Sequence, residues 1–113
     1  MNGCHFCDIA EPVLVRNEHA LAIHDKNPIS PGHSLIVPTV HVQSIFALSF
    51  ERYQGCFELL RTLKERLEKS HSPAGFNVVV NTGQAAGQTV DHAHIHLVPR
   101  YEDSLHPRSI FQV

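Results

Sequence analysis

The chain is poor in several things that would have decided its class at once. Three cysteines among 113 residues, two of them as Cys4-x-x-Cys7, are too few for the disulfide framework of a small secreted domain. Nine Lys and Arg against eleven Asp and Glu leave a formal net charge of −2, so the basic excess of a nucleic-acid or membrane-surface binder is missing. No stretch approaches the roughly 18 apolar residues of a membrane span. The opening MNGCHFCDIA has no basic segment followed by an apolar run, hence no visible signal peptide. No internal repeat, low-complexity tract or long linker interrupts the chain. These absences lead to the expectation of a soluble cytoplasmic protein, one domain over residues 1–113, with no nucleic-acid or membrane partner. A composition of 42% hydrophobic and 18% charged residues suits a folded globule.

Histidine is the residue in excess. Ten are present, and three stand at alternate positions, 92, 94 and 96, in DHAHIHLVPR (91–100). The surrounding pattern reads as strands at 14–16, 20–25, 33–38, 76–81 and 92–98. Between the third and fourth, Phe50, Tyr53, Phe57, Leu60, Leu63 and Leu67 recur at steps of three and four. That spacing predicts an amphipathic helix over about 49–70, capped by Ser49, with Cys56 inside it as a buried, inert thiol. Strands joined by short turns around one long helix imply an α+β fold with a mainly antiparallel sheet.

In a strand, residues 92, 94 and 96 share one face and Ala93, Ile95 and Leu97 the other, toward the core. Solvent-facing polar decoration is one reading of such a row. A single metal ion held by all three is awkward, because the first and last would lie about 13 Å apart along the strand, against zinc–nitrogen bonds of about 2.0–2.1 Å. Catalysis by at least one of them is more attractive, since neutral imidazole is nucleophilic near pH 7 and suits a covalent phosphoryl or nucleotidyl intermediate. Upstream, Asn81, Gly83, Gly87, Gln88 and Thr89 supply amides, a hydroxyl and backbone N–H groups that can hold a phosphate without a large positive field.

The segment Gln88-Thr89-Val90-Asp91-His92-Ala93-His94-Ile95-His96-Leu97-Val98 resembles the His-x-His-x-His signature of the histidine triad (HIT) family. Asp25, Pro31-Gly32-His33-Ser34-Leu35-Ile36-Val37-Pro38, His41 and the Asn77 to Gly83 segment follow the family's order, so the resemblance runs from Cys4 to about Tyr101. It implies a HIT-like fold with one long helix and a short one. It also implies a nucleotide hydrolase that cleaves at the α-phosphate of dinucleoside polyphosphates or nucleoside phosphoramidates and releases a nucleoside monophosphate. A nucleotidyl transferase and a non-catalytic nucleotide-binding regulatory module are the alternatives. By position, His94 would be the nucleophile, its near nitrogen donating to a backbone carbonyl. His96 would bind phosphate oxygens, while Gln88 and Thr89 would contact the phosphates and the leaving group. Asp25 would clamp the ribose, although the residue also suits a turn before Asn27-Pro28. Ile23 would line the base pocket and Asn81 would touch the phosphate. Gln88-Thr89-Val90 is similar to the dinucleoside-hydrolysing branch, a serine replacing Thr89 in the phosphoramidase-like one.

The resemblance extends to the zinc-bearing type. In that type a CxxC pair, a distant histidine and the first histidine of the triad form a structural zinc site; here these are Cys4, Cys7, His41 and His92. In the competing view, His41 and His92 form a hydrogen-bonded catalytic cluster without metal. A redox role for the Cys pair has no βαβ context to support it. Purine nucleotide or dinucleotide substrates and a homodimer complete what the resemblance implies.

Overall fold

A computed structural model describes residues 4–102. Five strands form one antiparallel sheet: β1 (Val15–Arg16), β2 (Ala20–His24), β3 (Ser34–Pro38), β4 (Gly75–Val79) and β5 (Ile95–Arg100), in the order β1-β2-β3-β5-β4. One long helix, α1 (Phe50–His71), connects β3 to β4. The expected short helix is represented by two 3-10 turns, Ile45–Ala47 and Gln84–Ala86. Among the described residues no helix is long and apolar enough to cross a membrane.

Strand alternation divides the sheet into two working faces. Ala20, Ala22, Ile36, Ile95 and Leu97 bury one face against α1. Ile23, Leu35 and Val37 bury the other under Phe6 of the N-terminal segment. The β1–β2 turn is held by Asn17, whose Oδ1 accepts from the N–H groups of His19 and Ala20 at 2.9 Å each. Its Nδ2 reaches Gly55 O at 2.9 Å and ties the turn to the helix. That approach requires glycine: a Cβ at Gly55 would come within 2.6 Å of the His19 ring and 2.7 Å of its Cβ.

Ser49 caps α1, its hydroxyl accepting from Arg52 N at 3.3 Å. At the other end Ser72 takes the left-handed conformation with φ 48° and returns its N–H to Glu68 O. The buried face is narrower and rotated from the predicted stripe. Cys56, Leu59, Leu60, Leu63 and Leu67 are buried, whereas Phe50 is 81% exposed and Tyr53 and Phe57 stack on each other, half-buried, at 4.9 Å. Helical spacing establishes that a stripe exists, but only the sheet beneath decides which of two adjacent stripes faces it.

The histidine segment also differs from the predicted strand 92–98. Ladder pairing begins at Ile95, with Ile36↔Ile95, Leu35↔His96 and Ser34↔Leu97. Before it, Ala93 N donates to Val42 O at 2.7 Å, and the carbonyl of His92 is occupied by a side chain. Residues 92–94 are therefore held by contacts that a regular strand would not make. Nor is the histidine row a polar outer face. His92, His94 and His96 are 0%, 7% and 4% exposed, as buried as the alternating Ala93, Ile95 and Leu97.

Candidate active site and metal cluster

Three buried imidazoles in sequence demand three sets of partners, because a buried ring nitrogen without one is costly. Each ring has a different set. His92 donates Nε2–H to Pro38 O at 2.9 Å, which turns its Nδ1 lone pair toward Cys4, Cys7 and His41. His94 donates Nδ1–H to the carbonyl of His92 at 2.8 Å, which leaves Nε2 free. Burial lowers the proton affinity of both rings and keeps them neutral near pH 7.

The tautomer of His96 is set from the entrance to the adjacent strand, β3. Ile29 N–H donates to His33 Nδ1 at 3.0 Å, so the ring proton of neutral His33 sits on Nε2. That Nε2–H faces His96 Nδ1 at 3.0 Å, with Asp25 Oδ2 at 3.4 Å. His96 accepts on Nδ1 and consequently carries its own proton on Nε2. Asp25 Oδ2 is 3.6 Å from His96 Nδ1, too far for a good hydrogen bond. Neither contact is a salt bridge, since desolvation lowers both pKa values, His96 to about 4. Neighbouring rings thus present opposite chemistry: His94 offers a lone pair and His96 offers an N–H.

These rings stand at a cavity of about 470 Å³. Asp25, Thr89, His94 and His96 line it, with Phe6, Ile29, Leu35 and Val90 as its apolar wall. Asp25 fulfils the turn role as well, because Oδ1 accepts from Asn27 N at 2.8 Å while Oδ2 faces the histidines. Ile23 is placed differently from the expectation. It is fully buried in the cluster with Phe6 and Leu35, beneath the cavity wall rather than on it. Gln88 differs too. Its Oε1 accepts from Gly83 N at 2.7 Å and its Nε2 donates to Gln43 O at 2.8 Å and Val90 O at 3.0 Å. The amide staples the 83–90 loop and lines a smaller cavity of about 260 Å³ with Thr89 and Val90. Asn81 lies just past β4, half-buried, with its Nδ2 3.9 Å from where a Cβ on Gly87 would stand.

Cys4, Cys7, His41 and His92 come together on the other side of Phe6, their ligand atoms all within 4.8 Å of one another. His41 Nδ1 is 3.4 Å from Cys4 Sγ, 3.0 Å from Cys7 Sγ and 3.1 Å from His92 Nδ1. His92 Nδ1 is 3.5 Å from Cys4 Sγ and 3.6 Å from Cys7 Sγ. Bonds of about 2.3 Å to sulfur and 2.0–2.1 Å to nitrogen in a tetrahedron put ligand atoms roughly 3.3–3.8 Å apart, so this set fits a zinc ion with small adjustments. The Pro38 carbonyl on His92 Nε2 is the outer partner that orients a metal-binding imidazole. Phe6, flanked by Cys4 and Cys7, packs edge-on against His92 at 5.9 Å and His94 at 5.0 Å. The Cys/His cluster and the cavity therefore share a wall.

Two contributors escaped the sequence. His33 was visible in Pro31-Gly32-His33 but had no assigned role, because only the Leu35↔His96 pairing makes it a diagonal neighbour of His96. Phe6 was hidden between two cysteines that drew attention to themselves.

Residues 8–103 match the HIT domain family. A 16.1 kDa HIT-like protein of Mycoplasma pneumoniae is 38% identical over 109 residues, 92% of this chain and 76% of the relative. The adenosine 5'-monophosphoramidase of Schizosaccharomyces pombe is 35% identical, over 87% of this chain and 74% of the enzyme. The bis(5'-adenosyl)-triphosphatase of Saccharomyces cerevisiae is 32% identical over 83% of this chain and 46% of its own length. Among solved structures, a HIT family protein from Bacillus anthracis superposes with a TM-score of 0.85 at 37% identity, covering 91% of this chain and 77% of that one. A zinc-bound histidine triad family protein from Mycobacterium smegmatis gives 0.82 at 27% identity, over 97% and 91%.

Proposed function

The chain belongs to the HIT family, and on that premise we propose that it hydrolyses nucleotides at the α-phosphorus through a covalent nucleotidyl intermediate on His94. The observation that carries this reading is the pair of opposite tautomers at the cavity, a free lone pair on His94 beside an N–H on His96. His94 Nε2 attacks phosphorus, and the bond from phosphorus to the leaving group breaks with its electron pair going to that group. His96 Nε2–H donates to a non-bridging oxygen, where negative charge accumulates. Water then attacks phosphorus, the phosphorus–nitrogen bond breaks, and the nucleoside monophosphate leaves neutral His94 behind. Asp25 Oδ2 accepts from ribose hydroxyls, and Thr89 and Asn81 serve the phosphate side. Gln88 acts first by shaping the loop, and reaches a phosphate only on giving up its backbone contacts.

Substrates of this site are adenine or other purine nucleotides carrying a phosphoramidate or a polyphosphate leaving group. The relatives named for adenosine 5'-monophosphoramidase and bis(5'-adenosyl)-triphosphatase activity support that range. Zinc bound by Cys4, Cys7, His41 and His92 supplies structural cross-linking, clamping Phe6 against the cavity. The reading includes one domain, a cytoplasmic location in which both thiols stay reduced, and a homodimer, for which the edge strand β4 with exposed Val78 and the exposed Phe46 and Phe50 provide surface.

The test compares wild type with His94→Ala on adenosine 5'-phosphoramidate and diadenosine polyphosphates, following AMP by chromatography. AMP release that vanishes in the variant is the expected result. Wild-type turnover that survives in His94→Ala removes the nucleophile, and binding without turnover in wild type moves the protein to a nucleotide-binding module.

A further inference from the structure

The cavity holds a hydrogen-bonded histidine–carboxylate pair that the proposed chemistry leaves idle. Glu11 and His5 both line it. His5 Nε2 lies 2.9 Å and 2.7 Å from the two carboxylate oxygens of Glu11, whose side chain is only 18% exposed. The His5 hydrogen bond, working against some desolvation, holds the Glu11 carboxyl below the ordinary carboxylate range. An ionised carboxylate only accepts hydrogen bonds, and His5 uses one approach to it; each oxygen keeps a lone pair for a donor inside the cavity. Phe6 touches both ends of this arrangement, its ring 5.2 Å from His5 and 5.0 Å from His94. Beside the pair, Phe6, Ile29 and Leu35 present the apolar surface on which a flat base packs.

Resting on the nucleotide reading above, we propose that Glu11, oriented by His5, selects the base: it accepts a hydrogen bond from the 6-amino group of adenine and disfavours a 6-oxopurine. A carbonyl oxygen at that position would face carboxylate lone pairs with no proton between them. Hypoxanthine differs from adenine by this exchange and by the N1 proton that accompanies it, and is otherwise of nearly the same shape. A hydrogen bond to a charged, mostly buried group corresponds to a preference of roughly 10- to 100-fold.

The experiment measures dissociation constants of AMP and IMP by calorimetry on the full chain, together with kcat/KM for adenosine and inosine 5'-phosphoramidates. Wild type prefers the adenine compound by roughly 10- to 100-fold. In Glu11→Gln, an amide that both donates and accepts, the ratio falls to within about threefold because IMP improves. Glu11→Ala loses AMP affinity without gaining IMP. The ratio within one protein is unaffected by a reduced folded fraction, so a poorly folding variant still reports. Equal affinity of wild type for AMP and IMP overturns the proposal, as does a wild-type ratio retained in Glu11→Gln. Discrimination in binding without phosphoramidate turnover defeats the hydrolase reading and leaves base selection standing; turnover indifferent to the base does the reverse.

Discussion

His33 is the residue on which the proposed chemistry depends most indirectly, and it offers the sharpest test of the tautomer argument. Its Nε2–H is the donor 3.0 Å from His96 Nδ1, and the two rings are 1% and 4% exposed. Replacing His33 with Ala leaves a buried acceptor unpaired, at a cost of about 1–3 kcal/mol. At 1.36 kcal/mol per factor of ten, that moves the tautomer ratio of His96 by roughly 5- to 150-fold. The proton then favours Nδ1, where Asp25 Oδ2 at 3.6 Å can shift to receive it. Nε2 becomes a lone pair aimed at the phosphate oxygens, so kcat falls roughly 10- to 100-fold with little change in KM. His33→Gln, whose amide N–H can reach the same acceptor, restores part of the loss. Nitrogen-15 NMR of the imidazole rings reads the cause directly. Wild-type His96 should show a protonated Nε2 and bare Nδ1, reversed in His33→Ala. A wild-type His96 protonated on Nδ1 refutes the reasoning, and so does equal activity of the Ala and Gln variants.

Three other outcomes follow from the same structure. Gly32 has φ +90°, and a Cβ there would lie 3.2 Å from Pro99 Cγ and 3.3 Å from both His71 Cδ2 and Leu67 Cδ2. Gly32→Ala should therefore lose about 1–3 kcal/mol in urea unfolding, and an unchanged midpoint would contradict the packing described. Burial depresses His96 from 6.5 to about 4 in the folded protein. Between those values the unfolded chain binds a proton that the folded chain refuses, so the stability present above pH 6.5 declines toward pH 4, by about 3 kcal/mol for this group. Urea midpoints at pH 7.5, 5.5 and 4.5 check the sign; a protein steadily more stable on acidification would reverse it. Finally, Cys7→Ala should take bound metal from one per chain to near zero by elemental analysis. It should lower the thermal midpoint by about 5–10 °C and weaken AMP binding, since Phe6 is anchored between the two thiols. Full metal content in that variant would exclude Cys7 as a ligand.

Local pattern alone was enough for much of the architecture. Short apolar runs at 20–24, 34–38 and 95–98 read as strands buried on both faces of the sheet, and the Ser49 cap and the three- and four-residue steps of α1 follow from helical geometry. Cys4-x-x-Cys7 with His41 and His92 was legible as a donor set through the resemblance, since a CxxC pair alone does not say which distant histidines join it, and the fold brings the four together. Phe50 facing outward, Gln88 spent on its own loop, and the strand that begins at Ile95 were not legible. The first depends on which helix stripe the sheet covers, the other two on which backbone groups nearby segments have already claimed. The same holds for the chemistry itself. That His94 keeps a lone pair and His96 keeps a proton was decided by a carbonyl two residues away in one case and by His33, 63 residues away, in the other. Sequence determined that three imidazoles would stand in line; tertiary hydrogen bonds decided what each can do, because a neutral imidazole takes its tautomer from its partners.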